Sequence, residues 1–78
     1  MPSASPPPDW VLVERQAVGD RIRAARLRAN LTQEAVALAA ETDRSSVVRI
    51  ERGQQSATVD TLIRLAAAIG VPLRDLVG

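Results

Sequence analysis

Apolar residues recur along this chain at intervals of three and four, the spacing of helices that each bury one stripe, and no stretch alternates strictly enough to argue for a strand. Between residues 10 and 30, Val18, Ile22, Ala25 and Ala29 mark such a stripe, with arginines on the remaining faces and Asp9 placed to cap its start. Gly19 weakens the middle, so this segment reads as one helix or as two. A short alanine-rich helix is predicted from Thr32, whose hydroxyl is placed to accept an amide of the first turn, through Val36 and Leu38 to Ala40. Asp43 offers another cap, for a helix from Arg44 to about Arg52 that Gly53 stops. After the polar connection Gln54-Gln55-Ser56-Ala57, Thr58 caps a helix carrying Val59, Leu62, Ile63, Ala66 and Ile69, which Gly70 ends. Pro72 fixes a turn, and Leu73, Leu76 and Val77 give a last apolar turn.

The first residues, Met-Pro-Ser-Ala-Ser-Pro-Pro-Pro, lack the donors for a helix ladder and have little to bury, so residues 1–9 are expected to be a disordered tail before a domain over residues 10–78. That domain is near the lower practical size for a core without staples. No staple is available. Cysteine and histidine are both absent, which removes disulfides, thiolate zinc sites, and the usual imidazole ligand and general base. Neither a metal nor a cofactor is expected. Trp10 is the sole aromatic in a chain that is 46% hydrophobic, so the core must be Ala, Val, Leu and Ile, a set suited to close helix packing. No apolar run approaches the roughly 18 residues of a membrane span, and the N-terminus lacks a signal peptide's basic start and apolar run. A cytoplasmic location without membrane association is the expectation.

The net charge is only +1, but all ten basic residues are arginines and their placement is uneven. From Arg21 to Arg52 there are seven arginines against four acids, a local excess of three positive charges. On the predicted helix from Arg44 to Arg52, Arg44, Ser45, Val48, Arg49 and Arg52 fall within an arc of about 140°, while Val47 and Ile50 fall on the other side. The inner edge can dock on neighbouring helices, and the outer edge suits a major groove. Arginine can donate paired hydrogen bonds to guanine O6 and N7, serine can donate or accept, and an exposed valine can meet a thymine methyl. Phosphates would be gripped at the start of the preceding helix, at Thr32 and Gln33. Two short capped helices joined by a turn of about three residues, the second with an aliphatic and an arginine edge, have the arrangement of a helix-turn-helix.

Leu31-Thr32-Gln33-Glu34 followed by Arg44-Ser45-Ser46-Val47-Val48-Arg49-Ile50-Glu51-Arg52-Gly53 resembles the Cro and phage-repressor type of helix-turn-helix, also called XRE-like. The likeness extends back to Gly19-Asp20-Arg21-Ile22-Arg23 and forward through Thr61-Leu62-Ile63-Arg64-Leu65-Ala66 to Ile69-Gly70-Val71-Pro72-Leu73. It implies an all-α, five-helix lambda-repressor-like domain with the helix-turn-helix at helices 2 and 3. It also implies a transcriptional regulator that binds double-stranded DNA as a homodimer on a pseudo-palindromic operator, without catalysis. Base reading is implied for Arg44, Ser45 and Arg49, with Val48 beside them. Phosphate contacts are implied for Gln33, Arg52, Gln54 and Gln55, and an orienting ion pair for Arg26 and Glu51. Gln54 stands where the family often has lysine, which should lower the salt dependence. Glu41 stands where the family usually has glycine, and costs about 1 kcal/mol if the turn stays left-handed.

Compact repressors, restriction-modification controllers and antitoxins share this pattern, and the sequence does not separate them. From another class, the same fold serves as an adaptor to a protein partner, a reading that would be favoured if DNA affinity failed to rise at low salt. An enzyme fits poorly, because Asp20, Glu34, Glu41 and Asp60 sit at cap or surface positions. Trp10, Val11, Leu12 and Val13 lie outside the resemblance and are expected to be a helix extension packing on the domain, or alternatively a dimer or partner contact. For the dimer interface the expected residues are Ile69, Leu73, Leu76 and Val77, which need either a core or a second copy to cover them.

Overall fold

The computed structural model describes residues 5–78. Five helices follow one another: α1 (Asp9–Arg28), α2 (Gln33–Ala39), α3 (Arg44–Glu51), α4 (Val59–Ile69) and α5 (Arg74–Val77). The predicted caps form as the residue types dictate. The side chains of Thr32, Asp43 and Thr58 accept from the backbone N–H groups of Ala35, Ser46 and Thr61, each satisfying an amide that has no partner within its helix. Gly53 and Gly70 close α3 and α4 with φ of +70° and +90°, a conformation that costs other residues more.

Asp9 is not the cap of α1. Pro8 occupies that position, and Asp9 is the first helical residue, where its negative charge faces the positive end of the helix. Residues 5–8 have no regular structure, and the part of the expected tail at residues 1–4 lies outside the described residues.

The long first segment is one helix of 20 residues, and Gly19 is retained for proximity, not for a break. A Cβ built on Gly19 would lie 2.4 Å from the carbonyl oxygen of Ile50 and 2.7 Å from that of Glu51. Only a residue without a side chain lets α1 pass so close to the end of α3. The core lies between the helices, with Ile22 and Ala25 from α1, Val36 and Ala37 from α2, Val47 and Ile50 from α3, and Leu65, Ala66 and Ile69 from α4.

Leu76 of α5 is fully buried in this core and Ile69 nearly so, which corrects their expected place at a dimer interface. Both spend their apolar surface within the chain, packing the end of the domain, and only Val77 and in part Leu73 remain at the surface. At the Trp10 to Val13 cluster the expected helix extension forms, but it packs on the domain only in part. Val11 is half-buried, but Trp10 and Val13 are 70% and 65% exposed, because the first turns of α1 run past the other helices. The molecule is 40 Å long for widths of 22 and 17 Å, the elongation expected when a helix of about 30 Å projects from a smaller body.

Candidate nucleic-acid interface

Helices α2 and α3 pack on each other across a tight connection from Ala40 to Asp43. Glu41 adopts φ +57° there, so the turn stays left-handed despite its side chain. Within the turn the N–H of Glu41 donates to the carbonyl of Leu38 and that of Thr42 to the carbonyl of Ala37, which returns the chain sharply towards α3. Asp43 then grips α3 twice, accepting from the Ser46 N–H at 3.2 Å and from its hydroxyl at 2.7 Å. The hydroxyl bond is the chief reason the Asp43 carboxyl titrates below its ordinary value, and the nearby charge of Arg49 acts in the same direction.

The inner side of α3 buries Val47 and Ile50 as the sequence pattern predicts, and with them Glu51. Glu51 is 4% exposed and would be untenable alone, so its partners matter. Arg26 supplies a bidentate fork, Nε to Oε2 at 2.7 Å and Nη2 to Oε1 at 2.9 Å, while its Nη1 donates to the carbonyl of Leu31 at 2.9 Å. Gln33 Nε2 adds a bond to Glu51 Oε1 at 3.2 Å. Three helices are thus joined at one carboxylate, and Arg26 ties the loop after α1 to them. The hydrogen bonds to Glu51 hold the Arg26 guanidinium protonated more firmly than usual, against the opposing effect of burial.

The outer side of α3 carries Arg44, Ser45, Arg49 and Arg52, all exposed, with Val48 half-buried among them. Arg44 and Arg52 also line an open cleft of about 620 Å³, together with Arg23, Arg26, Thr32, Gln33, Glu34 and Glu51. The cleft gathers four arginines and two acids, buried Glu51, which Arg26 already neutralises, and exposed Glu34, so its surplus is positive. Thr32, Gln33 and Arg52 therefore lie together. Gln54 and Gln55 lie elsewhere, on the loop after α3, where the Gln54 N–H donates to the carbonyl of Arg49 and Gln55 Oε1 accepts from Arg49 Nε at 2.9 Å.

Sequence reasoning missed two features here. Arg23 belongs to the cleft, and the available signal was its position three residues before Arg26, one turn away on the same face of α1. The bond between Arg49 and Gln55 had no such signal, because loop geometry after Gly53 decides it. Among the described residues, no group of three or more acids could hold a metal ion, and no helix is long and apolar enough to cross a membrane.

A helix-turn-helix family matches residues 22–76, from the second half of α1 to α5. The chain belongs to that family. It is a sequence-specific DNA-binding regulator of transcription with the five-helix architecture expected. Over 63 residues it is 32% identical to the control protein C.BamHI of Bacillus amyloliquefaciens, covering 80% of this chain and 78% of that protein. Its structure is similar to that of the restriction-modification controller protein C.AhdI of Aeromonas hydrophila, with a TM-score of 0.81 and 32% identity over 83% of this chain and 94% of the other. It also resembles a hypothetical transcription factor, NHTF, from Neisseria, with a TM-score of 0.79 and 26% identity over 100% of this chain and 87% of that one.

Proposed function

We propose that this regulator binds operator half-sites as a homodimer, lays α3 in the major groove of each, and acts as a controller of the kind its relatives C.BamHI and C.AhdI are named for. The observation that carries the reading is the division of α3 into a buried aliphatic edge and an exposed edge of Arg44, Ser45, Arg49 and Arg52. Arg44, Ser45, Val48 and Arg49 would meet base edges, where a bidentate arginine discriminates by about 1–3 kcal/mol. Thr32, Gln33 and Arg52 would hold phosphates at the basic cleft, with Arg23 added to them, and Gln54 would reach a phosphate from the loop, whereas Gln55, also expected there, has its amide oxygen on Arg49. Gln33 has one amide hydrogen committed to Glu51 and a second free for this. Arg26 and Glu51 would orient the assembly without touching DNA.

For the dimer, the burial of Ile69 and Leu76 moves the expected contact to exposed apolar residues elsewhere on α4 and around α5. Val59 and Ile63, four apart on one face of α4, are 64% and 49% exposed, and Val77 and the half-buried Leu73 continue the apolar surface of α5. No catalytic role is assigned, and the working location is the cytoplasm, where a DNA-binding regulator of this kind meets its operator.

Selecting bound duplexes from a random library tests this directly. The expected product is an inverted repeat with half-site centres about one helical turn, roughly 34 Å, apart. Recovery of a single unpaired site would remove the dimer, and recovery of no shared sequence would remove base reading by α3.

A further inference from the structure

We infer that Gln55 fixes which edge of the Arg49 guanidinium faces the duplex, and so sets the strength of guanine preference at the base Arg49 meets; this rests on the reading of Arg49 as a base-contacting residue. Arg49 Nε donates to Gln55 Oε1 at 2.9 Å. Arginine carries donors only, so the amide oxygen of Gln55 must be the atom that faces it. A guanidinium can offer two parallel N–H groups in two ways, through Nε with one terminal nitrogen or through both terminal nitrogens. With Nε committed to Gln55, only the terminal edge remains for guanine O6 and N7.

The loop is anchored to the residue it steers. The Gln54 N–H donates to the Arg49 carbonyl at 2.8 Å, so the backbone beside Gln55 is tied to Arg49 as well. Gln55 itself is half-buried and borders an apolar groove formed by Val18, Ile50, Ala57 and Leu62, which limits where its amide can go. Arg49 therefore loses rotamer freedom before DNA arrives, and pays less of that cost on binding. A phosphate contact through Gln55 Nε2 is a different role, and the two predict different losses.

The test measures affinities of the chain and its variants for the duplex selected from a random library and for duplexes with each base pair of the half-site replaced in turn. Arg49→Ala is expected to lose about 5- to 150-fold of the preference for guanine at one position. Gln55→Ala is expected to lose about 2- to 10-fold of the preference at that same position, and to add no further loss in the Arg49→Ala background. Gln55→Asn, which withdraws the oxygen by one methylene but keeps the amide and the fold, should behave like Gln55→Ala. Gln55→Glu keeps an acceptor and should retain the preference while binding every duplex more weakly. A Gln55→Ala loss that is equal on all duplexes, or that persists undiminished with Arg49→Ala, overturns the inference and assigns Gln55 to a phosphate. If Arg49→Ala leaves every base preference intact, the reading of Arg49 falls, and this inference with it.

Discussion

The two sides of α3 are each held by an arginine Nε, through hydrogen bonds of similar length: Arg26 to Glu51 at 2.7 Å inside, and Arg49 to Gln55 at 2.9 Å outside. Their surroundings differ. Arg26 and Glu51 are 7% and 4% exposed, whereas Arg49 stands in water. Removing one partner inside leaves a largely buried charge with only Gln33 or the Leu31 carbonyl still bonded to it, while removing one outside lets water replace it freely. The inner bond consequently decides where α3 lies, and the outer bond decides only how one side chain points. Length alone would have ranked them as equals.

The largest expected effect comes from breaking the inner bond. Glu51→Ala strands the Arg26 guanidinium and should cost about 3–5 kcal/mol in denaturant unfolding, a large share of the stability of a domain this size. Replacing both partners together, with Arg26→Met and Glu51→Leu, should recover most of that loss, since the penalty is chiefly the unpaired charge. A Glu51→Ala cost below about 1 kcal/mol would break the comparison, because it would mean that water entering the cleft replaces the inner partner as readily as it does outside. Second in size is Gly19→Ala. Its new methyl would collide with the carbonyls of Ile50 and Glu51, which are backbone and cannot swing away, so α1 must back off from α3 at a cost of about 1–3 kcal/mol. Unfolding of this variant at wild-type denaturant concentration would show that the close approach is not tight.

What could be read in advance follows the same division between local chemistry and tertiary placement. Thr32, Asp43 and Thr58 act within one turn of their own helices, so their side chains announced three helix starts correctly. The two edges of α3 follow from a repeat of 3.6 residues and were equally legible. Gly19 reads as a helix breaker locally, and its use as a contact point depends on where α3 arrives from more than thirty residues away. Ile69 and Leu76 show the same limit. An apolar last turn needs cover, but the sequence does not say whether the cover is the chain's own α1 or a second copy, and here α1 supplies it. Trp10 and Val13 err in the other direction, being apolar and still uncovered. Gln55 was given a phosphate contact by the resemblance alone, and its bond to Arg49 had no local signal, because the turn at Gly53 brings the two together.

A smaller effect is expected at the turn that sets α2 against α3. Glu41 holds φ +57° with a Cβ that disfavours it, and its side chain is exposed, so Glu41→Gly should stabilise the domain by about 0.5–1 kcal/mol. It should leave base preference unchanged, because neither the inner nor the outer bond involves it. An unchanged or lowered melting temperature would show that the turn gains more from the glutamate side chain than it loses in the backbone.

The smallest expected effect sharpens the comparison through the acids at the two ends of α3, buried Glu51 in its last turn and exposed Asp43 at its cap. Asp43 caps α3 in water, and its carboxyl lies below its ordinary value of about 3.8, chiefly because the Ser46 hydroxyl donates to the charged form. A carboxyl lowered on folding stabilises the folded chain above its unfolded value and loses that contribution as pH falls through the folded one. Asp43→Asn keeps a capping oxygen but cannot titrate, so its melting temperature should sit slightly below that of the parent near neutral pH, and the gap should close in acid. Salt should narrow the same gap at neutral pH, because the attraction from Arg49 is exposed and screened. A gap that widened in acid would mean the protonated carboxyl binds Ser46 better than the ionised one does, and that the exposed cap of α3 does not work by charge.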